Sequence, residues 1–414
     1  MGKKHKHAYD VVIAGGGMVG ASLAVALAKL DLKLALVEAV PLKHSEQPSF
    51  DDRSIVLSRG SRQILDSLAV WSDIGERSWP IHKIHVSQQG RFGTAVIDGA
   101  EQGIGELGAL VSARVLGKIL WARIAQLDAI DVFCPGRLVR VQPYADHVTA
   151  ILESEDAEVS ITAKLVTVAD GAHSGLRSQL GVSANIKPYG QTAIVGNVGI
   201  DARWSGHVAY ERFTPHGPLA LLPGRDNTCA FVLSRAAELA PTVMALNDAA
   251  FLQLLQQTFG HRLGRFGRLG TRHAYPLHLV TAERITAERS VIVGNAAHGL
   301  HPVAGQGFNL GLRDVATLAE ILADRAQNSE ISKDVGAPEL LERYREWRYR
   351  DQRNVVAFTD GLIHLFDIPS NAAAVARGFG LLAFDMLPRV KRALAHHTMG
   401  LSGTLTRLAR GLPL

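Results

Sequence analysis

The sequence predicts an α/β protein in which a GxGxxG Rossmann-like domain carries an inserted, mainly antiparallel β domain and a C-terminal helical region. Three observations support this prediction. A β-branched run at 10–14 leads into the GxGxxG turn and an apolar helix. Two later β-rich runs, at 164–169 and 289–293, also end in glycine turns. Between those two runs, residues 186–275 form short strand-like segments.

Length and composition favour an ordinary globular protein of two domains with additional helices. The chain has 414 residues, of which 47% are hydrophobic and 20% charged. Its net charge of +5 comes from scattered basic residues, which argues against nucleic-acid binding. Cys134 and Cys229 lie far apart and match no metal-binding spacing, so we expect no metal site and a reducing, cytoplasmic compartment.

The N-terminus superficially resembles a signal peptide or a membrane span. A basic segment at 3–7 precedes the uncharged residues 11–28. Three consecutive glycines in the middle disfavour one continuous helix, so we predict a strand, a turn and a helix instead. The basic segment is expected to be a solvated tail, with a metal site as the alternative.

The GxGxxG turn predicts a dinucleotide-binding site. Gly15 permits a tight turn, Gly17 lets a pyrophosphate approach the backbone, and Gly20 lets the helix pack closely on the strand. Glu38 ends the second strand, 18 residues beyond Gly20, where a carboxylate accepts hydrogen bonds from a ribose. A carboxylate there repels a 2′-phosphate and so favours FAD or NAD over NADP. The alternative is a glycine-rich turn that binds nothing.

The two later motifs are predicted to bind the same ligand. One run ends in Asp170-Gly171 and the other in Gly294-Asn295. Doubly wound sheets bind ligands at the carboxyl ends of their strands. Three such ends therefore suggest one long cofactor, held by a domain that is assembled from separated segments.

These three motifs together resemble the group A flavoprotein monooxygenases of the para-hydroxybenzoate hydroxylase type, over about residues 1–365. Within that group, "HPVAGQGFNLGLRD", "FDDRSIVLS" and "ERFTPHGPLALLP" are similar to motifs of the ubiquinone-biosynthesis hydroxylases. The resemblance implies bound FAD, NAD(P)H as co-substrate, and O₂ activated as a flavin C4a-hydroperoxide. It also implies a phenolic small-molecule substrate with an isoprenoid tail.

The resemblance also divides the chain. It implies a discontinuous FAD-binding domain at 1–79, 108–185 and 276–365, and a substrate-binding β domain at 80–107 and 186–275. Residues 366–414 form a C-terminal helical segment. Tyr210, Phe213, His216 and Pro223 are the candidates for the substrate pocket, and a plain core or loop role is the alternative for each.

Cofactor contacts follow from the family motifs. Asp170 would meet cofactor groups with Gly171 beside it, the alternative being that Asp170 only caps the following helix. The family usually has Gly-Asp at the third motif, where the Asp binds the ribityl chain. Here Gly294 is followed by Asn295, which is isosteric but uncharged, so we expect the same contact in a weaker form.

The flavin ring is expected to lie against the turn at 301–307. Pro302 makes this turn rigid, and Gly305 and Gly307 let the backbone face the ring. A helix is predicted to start near Asn309 and to direct its positive end at the reduced flavin, and Asn309 as an N-cap is the alternative.

Two arginines and two histidines complete the candidate site. Arg53 and Arg114 match flavin-contacting positions of the family, with surface salt bridges as the alternative. His298 and His301 flank the turn, where each could act as an acid or base or be a buried structural histidine. We take Arg53, Pro302 and His301 as the catalytic candidates.

The C-terminal segment repeats leucine and valine at three- and four-residue steps, from Leu387 through Val390 and Leu394 to Leu412, with five basic residues between them. This pattern predicts a basic amphipathic surface for a partner or a membrane face. The resemblance implies that the membrane would be the inner membrane, with the protein peripheral to it, or that the partner would be a protein complex of ubiquinone biosynthesis. Packing of these helices on the body of the protein is the alternative.

Two other functions stay open on the sequence alone. A flavin reductase or dehydrogenase could use the same fold, because a fold does not fix chemistry. A flavin-binding scaffold within a biosynthetic assembly is the non-enzymatic alternative.

Overall fold

The computed structural model describes residues 7–41, 53–154, 158–201, 206–327, 334–368 and 370–414, so the basic residues at 3–6 lie outside the described residues. Its strands are β1 (His7–Ala14), β2 (Leu34–Val37), β3 (Ser54–Ser58), β4 (Trp79–Ile81), β5 (Lys83–Gln88), β6 (Thr94–Asp98), β7 (Gly108–Ser112), β8 (Ile130–Phe133), β9 (Arg137–Pro143), β10 (Val148–Glu153), β11 (Glu158–Val168), β12 (Ala184–Ile200), β13 (Val208–Phe213), β14 (Leu219–Pro223), β15 (Thr228–Ala236), β16 (Phe266–Leu269), β17 (His273–Ala282), β18 (Thr286–Ala287), β19 (Ser290–Ile292) and β20 (His298–Gly299). Its helices are α1 (Met18–Leu27), α2 (Arg59–Ser67), α3 (Trp71–Gly75), α4 (Ala113–Ile124), α5 (Gly175–Gln179), α6 (Ala240–Met244), α7 (Asp248–Phe259), α8 (Gln306–Gln327), α9 (Pro338–Asp367), α10 (Asn371–Asp385) and α11 (Pro388–Thr398).

The first sheet is the predicted Rossmann-like core. Its central order is β18-β19-β11-β1-β2-β8, and β10 and β9 extend it from β11. The strands β19, β11, β1, β2 and β8 run parallel to one another. The predicted first strand is buried on both faces at Val11, Val12 and Ile13, as is typical of a parallel sheet that is covered on both sides. The helix α1 packs against β1, α4 and α8.

The second sheet is the predicted antiparallel insertion. Its order is β20-β17-β12-β15-β14-β13-β5-β6, with β16 paired to β12, and β13–β5 is its parallel pair. One face packs its buried side chains, among them Leu219, Leu221 and Phe231, on Phe251 and Leu255 of α7. The fold class is thus confirmed.

The second sheet extends beyond the predicted boundaries at 186 and 275. Strand β12 already begins at Ala184, and β17 continues to Ala282. Strand β20 then pairs with β17, with His298 opposite Thr281, directly before the turn at 301–307. This turn therefore lies where the two sheets meet. A third, small sheet of order β3-β7-β4 flanks them.

The C-terminal helices only partly follow the predicted amphipathic surface. Leu408 is buried, and Arg407 pairs with Glu320 and Asp324 of α8, so this end of the chain packs on the body as in the alternative interpretation. Leu387 and Val390, by contrast, are exposed. No helix among the described residues is both long and apolar enough to cross a bilayer.

Candidate functional site

The predicted motifs lie side by side at one edge of the first sheet. In the sheet register, Ala14 pairs with Val37 on one side and with Val168 on the other, and Val168 pairs with Ile292. The residues that follow these four strand ends therefore form a row, in the spatial order Gly294, Asp170, Gly15 and Glu38. With about 4.8 Å between neighbouring strands, the row is about 14 Å long. An extended ligand can contact all four ends at once.

The glycine turn after β1 permits no side chain at two of its positions. Gly15 has φ +105°, and a Cβ there would lie 2.5 Å from the carbonyl oxygen of Ala169. A Cβ on Gly20 would lie only 1.9 Å from the carbonyl oxygen of Gly15. The close packing of α1 on β1 that the sequence predicts is therefore present.

Two side chains fix the peptide groups of this turn. The Glu38 carboxylate is buried and accepts hydrogen bonds from the backbone N–H of Gly16 (2.6 Å) and of Val40 (2.8 Å). The Trp121 indole N–H donates to the Gly16 carbonyl oxygen (3.1 Å). Each Glu38 oxygen retains a second acceptor position for a ribose hydroxyl. Trp121 was not predicted, because no spacing in the sequence connects α4 to this turn.

The N-terminus of α1 is open to an anion. Its N-cap is Gly17, which provides no side-chain cap, and the first turn contains no acidic residue. The backbone N–H groups and the positive end of the helix dipole therefore favour a phosphate at this point.

The middle motif does not use Asp170 as the N-cap of α5. That cap is Ser174, whose hydroxyl oxygen accepts from the Arg177 backbone N–H (3.0 Å). The Asp170 side chain is exposed at the row of strand ends, and its cofactor contact stays a prediction. Arg177 connects this motif to the third one, because its guanidinium donates to the Ala296 carbonyl oxygen (2.7 Å). Gly171 has φ +92° with open space where its Cβ would point.

A single buried carboxylate, Asp314 of α8, organises the third motif. One oxygen accepts from the Gly294 backbone N–H (3.0 Å) and contacts His298 Nε2 (2.6 Å). The other accepts from Arg348 Nε (2.7 Å) and Gln352 Nε2 (2.9 Å) of α9. Burial by itself raises the pKa of Asp314, but the positive charges of His298 and Arg348 and these hydrogen bonds hold it well below its usual range.

This network holds His298 and leaves Asn295 outside it. His298 is buried with its Nε2 on Asp314, which matches the structural alternative rather than the acid/base one. Gly294 has φ +59°, and Asn295 beside it is exposed at the row of strand ends. Its predicted ribityl contact stays a prediction.

The turn at 301–307 is tighter than the sequence suggested. Pro302 has φ −66°, and Ala304 and Gly305 both adopt left-handed conformations before α8 begins at Gln306. The prediction that the helix starts near Asn309 is therefore wrong by three residues. A Cβ on Gly307 would meet no atom within 4 Å, which leaves that face of the turn open.

Asn309 is not the N-cap of α8. It lies in the first helical turn, where its side-chain oxygen accepts from the Ser58 backbone N–H (2.9 Å). Its amide donates to the carbonyl oxygens of Val56 (2.8 Å) and Gly305 (2.6 Å). Both amide hydrogens of Asn309 thus bind β3 and the turn. A cofactor contact at this position would therefore have to come from the Asn309 backbone.

His301 presents an unsatisfied polar atom beside the turn. Its Nδ1 accepts from the Val303 backbone N–H (3.1 Å), and its buried Nε2 has no hydrogen-bond partner among the described residues. Burial lowers the pKa of His301 to about 4, so the ring is neutral at neutral pH and carries its proton on Nε2. A ligand that enters the site would find one buried donor there.

Arg53 and Arg114 are brought together by the small sheet. Arg53 directly precedes β3, Arg114 is the second residue of α4, and the Ala113 backbone N–H donates to the Arg53 carbonyl oxygen (2.8 Å). The Arg53 guanidinium stacks 4.5 Å from the ring centre of Tyr275 in the second sheet. Their flavin contacts stay predictions.

Of the four predicted pocket residues, Phe213 lies toward the turn. It packs with Val303 and Ile363. Tyr210 lies on the other face of β13 against Phe259 of α7, because side chains three positions apart point to opposite faces of a strand. Pro223 lies on the same face as Leu221, and His216 is exposed in the β13–β14 turn. Tyr210 and Pro223 thus lie on the α7 face of the sheet, and the pocket roles of these two residues and of His216 stay predictions.

Comparison with known proteins matches this geometry. The family described as FAD binding domain matches residues 8–359. The chain is 36% identical to ubiquinone hydroxylase UbiL of Rhodospirillum rubrum over 408 residues, which cover 98% of this chain and 93% of that protein. It is 30% identical to the 3-demethoxyubiquinol 3-hydroxylase of Escherichia coli, with 95% and 98% covered.

The fold is also that of solved flavoproteins. The crystal structure of p-nitrophenol 4-monooxygenase PnpA from Pseudomonas putida superimposes with a TM-score of 0.79 at 18% identity, covering 96% of this chain and 99% of that one. At this level of identity the likeness concerns the fold alone.

The Asp314 network predicts a large effect of one substitution. Asp314→Asn removes the fully buried carboxylate that Arg348 and His298 share, leaves Arg348 paired with Asp351 alone, and should lower the free energy of unfolding by about 3 kcal/mol at neutral pH. The stabilisation by the ionised carboxylate is present above the unfolded-state pKa, about 3.9, and is lost as the pH falls. In urea titrations, the difference in free energy of unfolding between the wild type and Asp314→Asn should therefore become smaller below about pH 4. Glu342→Gln, in an exposed pair with Arg345, is the control and should have no measurable effect.

Two glycine substitutions separate folding from cofactor binding. Gly20→Ala should destabilise the FAD-free protein and abolish FAD binding, since its Cβ collides with Gly15. Gly307→Ala should leave the FAD-free protein as stable or up to about 1 kcal/mol more stable, because it replaces a helical glycine. It should nevertheless weaken FAD binding at least tenfold, measured by flavin fluorescence. Unchanged affinity in Gly307→Ala would refute the placement of the flavin at this turn.

Proposed function

The chain belongs to the FAD binding domain family, and we propose that it is a ubiquinone-biosynthesis hydroxylase, an FAD-dependent monooxygenase that hydroxylates a polyprenylated phenol with NAD(P)H and O₂. The observation that carries this proposal is the row of paired strand ends from Glu38 to Gly294, which the turn at 301–307 follows along the chain. The residues of the row have the chemistry that the groups of one FAD molecule require.

Each part of the row fits a part of FAD. The Glu38 oxygens would accept from the adenosine ribose, and the open N-terminus of α1 would hold the pyrophosphate. Asn295 would reach the ribityl chain, and the open face of Gly307 would lie against the flavin ring. When bound, FAD supplies the redox and oxygen chemistry, and the protein supplies position, charge and exclusion of water.

The turn is suited to stabilise charge on the reduced ring. The N-terminus of α8 begins at Gln306, and its first turn contains no acidic residue. Its backbone dipole therefore favours negative charge on a neighbouring group. The apolar side chains of Phe213, Val303 and Ile363 close one side of this region against water.

The ring position that is hydroxylated is the finer part of the proposal. The sequence motifs resemble those of 2-octaprenyl-6-methoxyphenol hydroxylase, which favours that ring position, whereas the Escherichia coli relative is named for hydroxylation at position 3. The quinone precursor that accumulates in a deletion strain identifies the step directly.

The purified protein should bind FAD and oxidise NAD(P)H when a prenylated phenol such as 2-geranylphenol is added. Oxygen should be consumed in proportion to hydroxylated product, measured with an oxygen electrode and mass spectrometry. Reduction of the added substrate without oxygen uptake would instead indicate a reductase or dehydrogenase. A protein that binds FAD but never oxidises NAD(P)H would indicate a scaffold.

We also propose that the enzyme contacts an anionic membrane surface through the α10–α11 face, defined by Val375, Phe379, Leu382, Met386, Leu387 and Val390. The first four follow helical spacing, and Phe379 and Met386 are 62% and 79% exposed. Arg389 and Arg392 are exposed beside this face. Exposed apolar side chains flanked by arginines match the interface of a bilayer that contains anionic lipid. A substrate with an isoprenoid tail would be delivered from such a surface.

Vesicle binding tests this surface. The wild type should co-sediment with phosphatidylcholine vesicles that contain phosphatidylglycerol, and more weakly with phosphatidylcholine alone. Phe379→Glu combined with Met386→Glu should reduce binding at least tenfold, because two large apolar side chains no longer enter the lipid. Leu239→Glu, at a side chain that is 50% exposed elsewhere, is the control and should bind as the wild type does. If the wild type does not bind vesicles but forms a dimer, and the double variant does not form this dimer, the face would instead be assigned to a protein partner.

A further inference from the structure

Glu211 is an acidic residue within an otherwise apolar stretch of the second sheet. It lies on β13 between Tyr210 and Arg212, and its cross-strand neighbours are Val86 on β5 and Ala220 on β14. Because side chains alternate along a strand, Glu211 shares its face with Phe213 and points away from α7. The sequence signal was present, since Glu211 lies two positions before Phe213 in the stretch "ERFTPHGPLALLP".

This face of the sheet is lined by small and apolar side chains that are only partly buried. Ala220, Leu222, Val195 and Val232 all retain some exposure, whereas the residues that alternate with them are fully covered by α7. The Glu211 side chain is likewise partly exposed. A small molecule can therefore reach this face, in contrast to the opposite one.

No charged group balances Glu211. Among the described residues its carboxylate makes no hydrogen bond or ion pair, and burial alone raises its pKa to about 7. Arg212 and His85 point to the other face, where Arg212 donates to the Thr258 carbonyl oxygen of α7 and His85 contacts Arg262. On the side of the turn and α9, the titratable groups are His301, Asp360 and Tyr189, and Arg377 lies over the ring of Phe366, which stacks on Phe213.

Glu211 lies close to the flavin turn. Phe213 is two residues farther along the same face of β13, which is about 6.6 Å along the strand. Phe213 packs directly on Val303 of the turn. The carboxylate is therefore directed at the space between the second sheet and the turn, which a phenol ring must enter to reach the flavin.

We propose that Glu211 binds the hydroxyl group of the phenolic substrate and accepts its proton. The phenol O–H bond breaks, a new O–H bond forms on the Glu211 carboxylate, and the electron pair stays on the phenol oxygen. The ring becomes more electron-rich, and so more reactive toward an electrophilic oxygen. The proton passes to water when the product leaves. This inference rests on the proposed function, which supplies the phenol and the oxidant.

The carboxylate must be ionised to act as a base. Activity should therefore rise as the pH increases through about 7. A carboxylic acid with an ordinary pKa is already ionised at pH 5 to 6. A rise near pH 7 is therefore assigned to Glu211 only when Glu211→Gln removes it.

The test compares the FAD-loaded wild type with Glu211→Gln and Glu211→Asp. With 2-geranylphenol as the probe, Glu211→Gln should lower kcat/KM at least 100-fold at pH 8 and remove the rise near pH 7. Glu211→Asp should restore part of the activity and a rise with pH. FAD affinity and the melting temperature of Glu211→Gln should match the wild type, and Glu153→Gln, at an exposed position on β10, should retain both activity and pH profile.

A second measurement does not depend on turnover. At pH 7, a smaller fraction of the bound 4-nitrophenol should be ionised in Glu211→Gln than in the wild type. The absorbance of the bound ligand gives this fraction. If the wild type hydroxylates the probe and Glu211→Gln retains the same pH profile, Glu211 is not the base. If the wild type binds FAD but neither binds nor hydroxylates the phenol, the proposed function itself fails.

Discussion

The site depends on the buried carboxylate of Asp314. It receives hydrogen bonds from the Gly294 backbone, from His298 and, through Arg348 and Gln352, from α9. A buried charge of this kind is tolerated only when it is fully paired, so the geometry of the groups around it is tightly determined. Arg348 also pairs with Asp351, which in turn pairs with Arg313, so the network extends along the α8–α9 contact.

This interaction connects the two sheets at the point where the chemistry is expected. The backbone of His298 is part of β20 in the second sheet, and its side chain contacts Asp314 of α8, which packs on the first sheet's helix α1. The turn at 301–307 follows directly and receives Asn309 from one side and Phe213 from the other. A substrate between Glu211 and this turn would thus be held by two separately folded layers whose relative position Asp314 helps to fix.

Most of the fold and of the cofactor row could be predicted because the signals are local. The turn at Gly15–Gly20 and the strand ends at Asp170 and Gly294 each lie in a short motif, and a parallel sheet necessarily brings such ends to one edge. The roles of Asp314, Trp121 and Arg177 could not be predicted, because the partners of their side chains described above lie 16 to 119 residues away. The N-cap alternative for Asn309 is wrong, because a left-handed turn at Ala304 and Gly305 allows the helix to begin three residues earlier. Strand alternation alone separates Tyr210 from Phe213.

The most direct test of this account is a crystal structure of the protein with FAD bound. We expect the adenosine ribose at Glu38, a ribityl hydroxyl within about 3.2 Å of the Asn295 side chain, and the flavin ring against Gly307. The contact between the Gly294 N–H and Asp314 should be unchanged from 3.0 Å. A flavin bound away from this row, or an Asp314 carboxylate that releases Gly294 when FAD binds, would contradict the account.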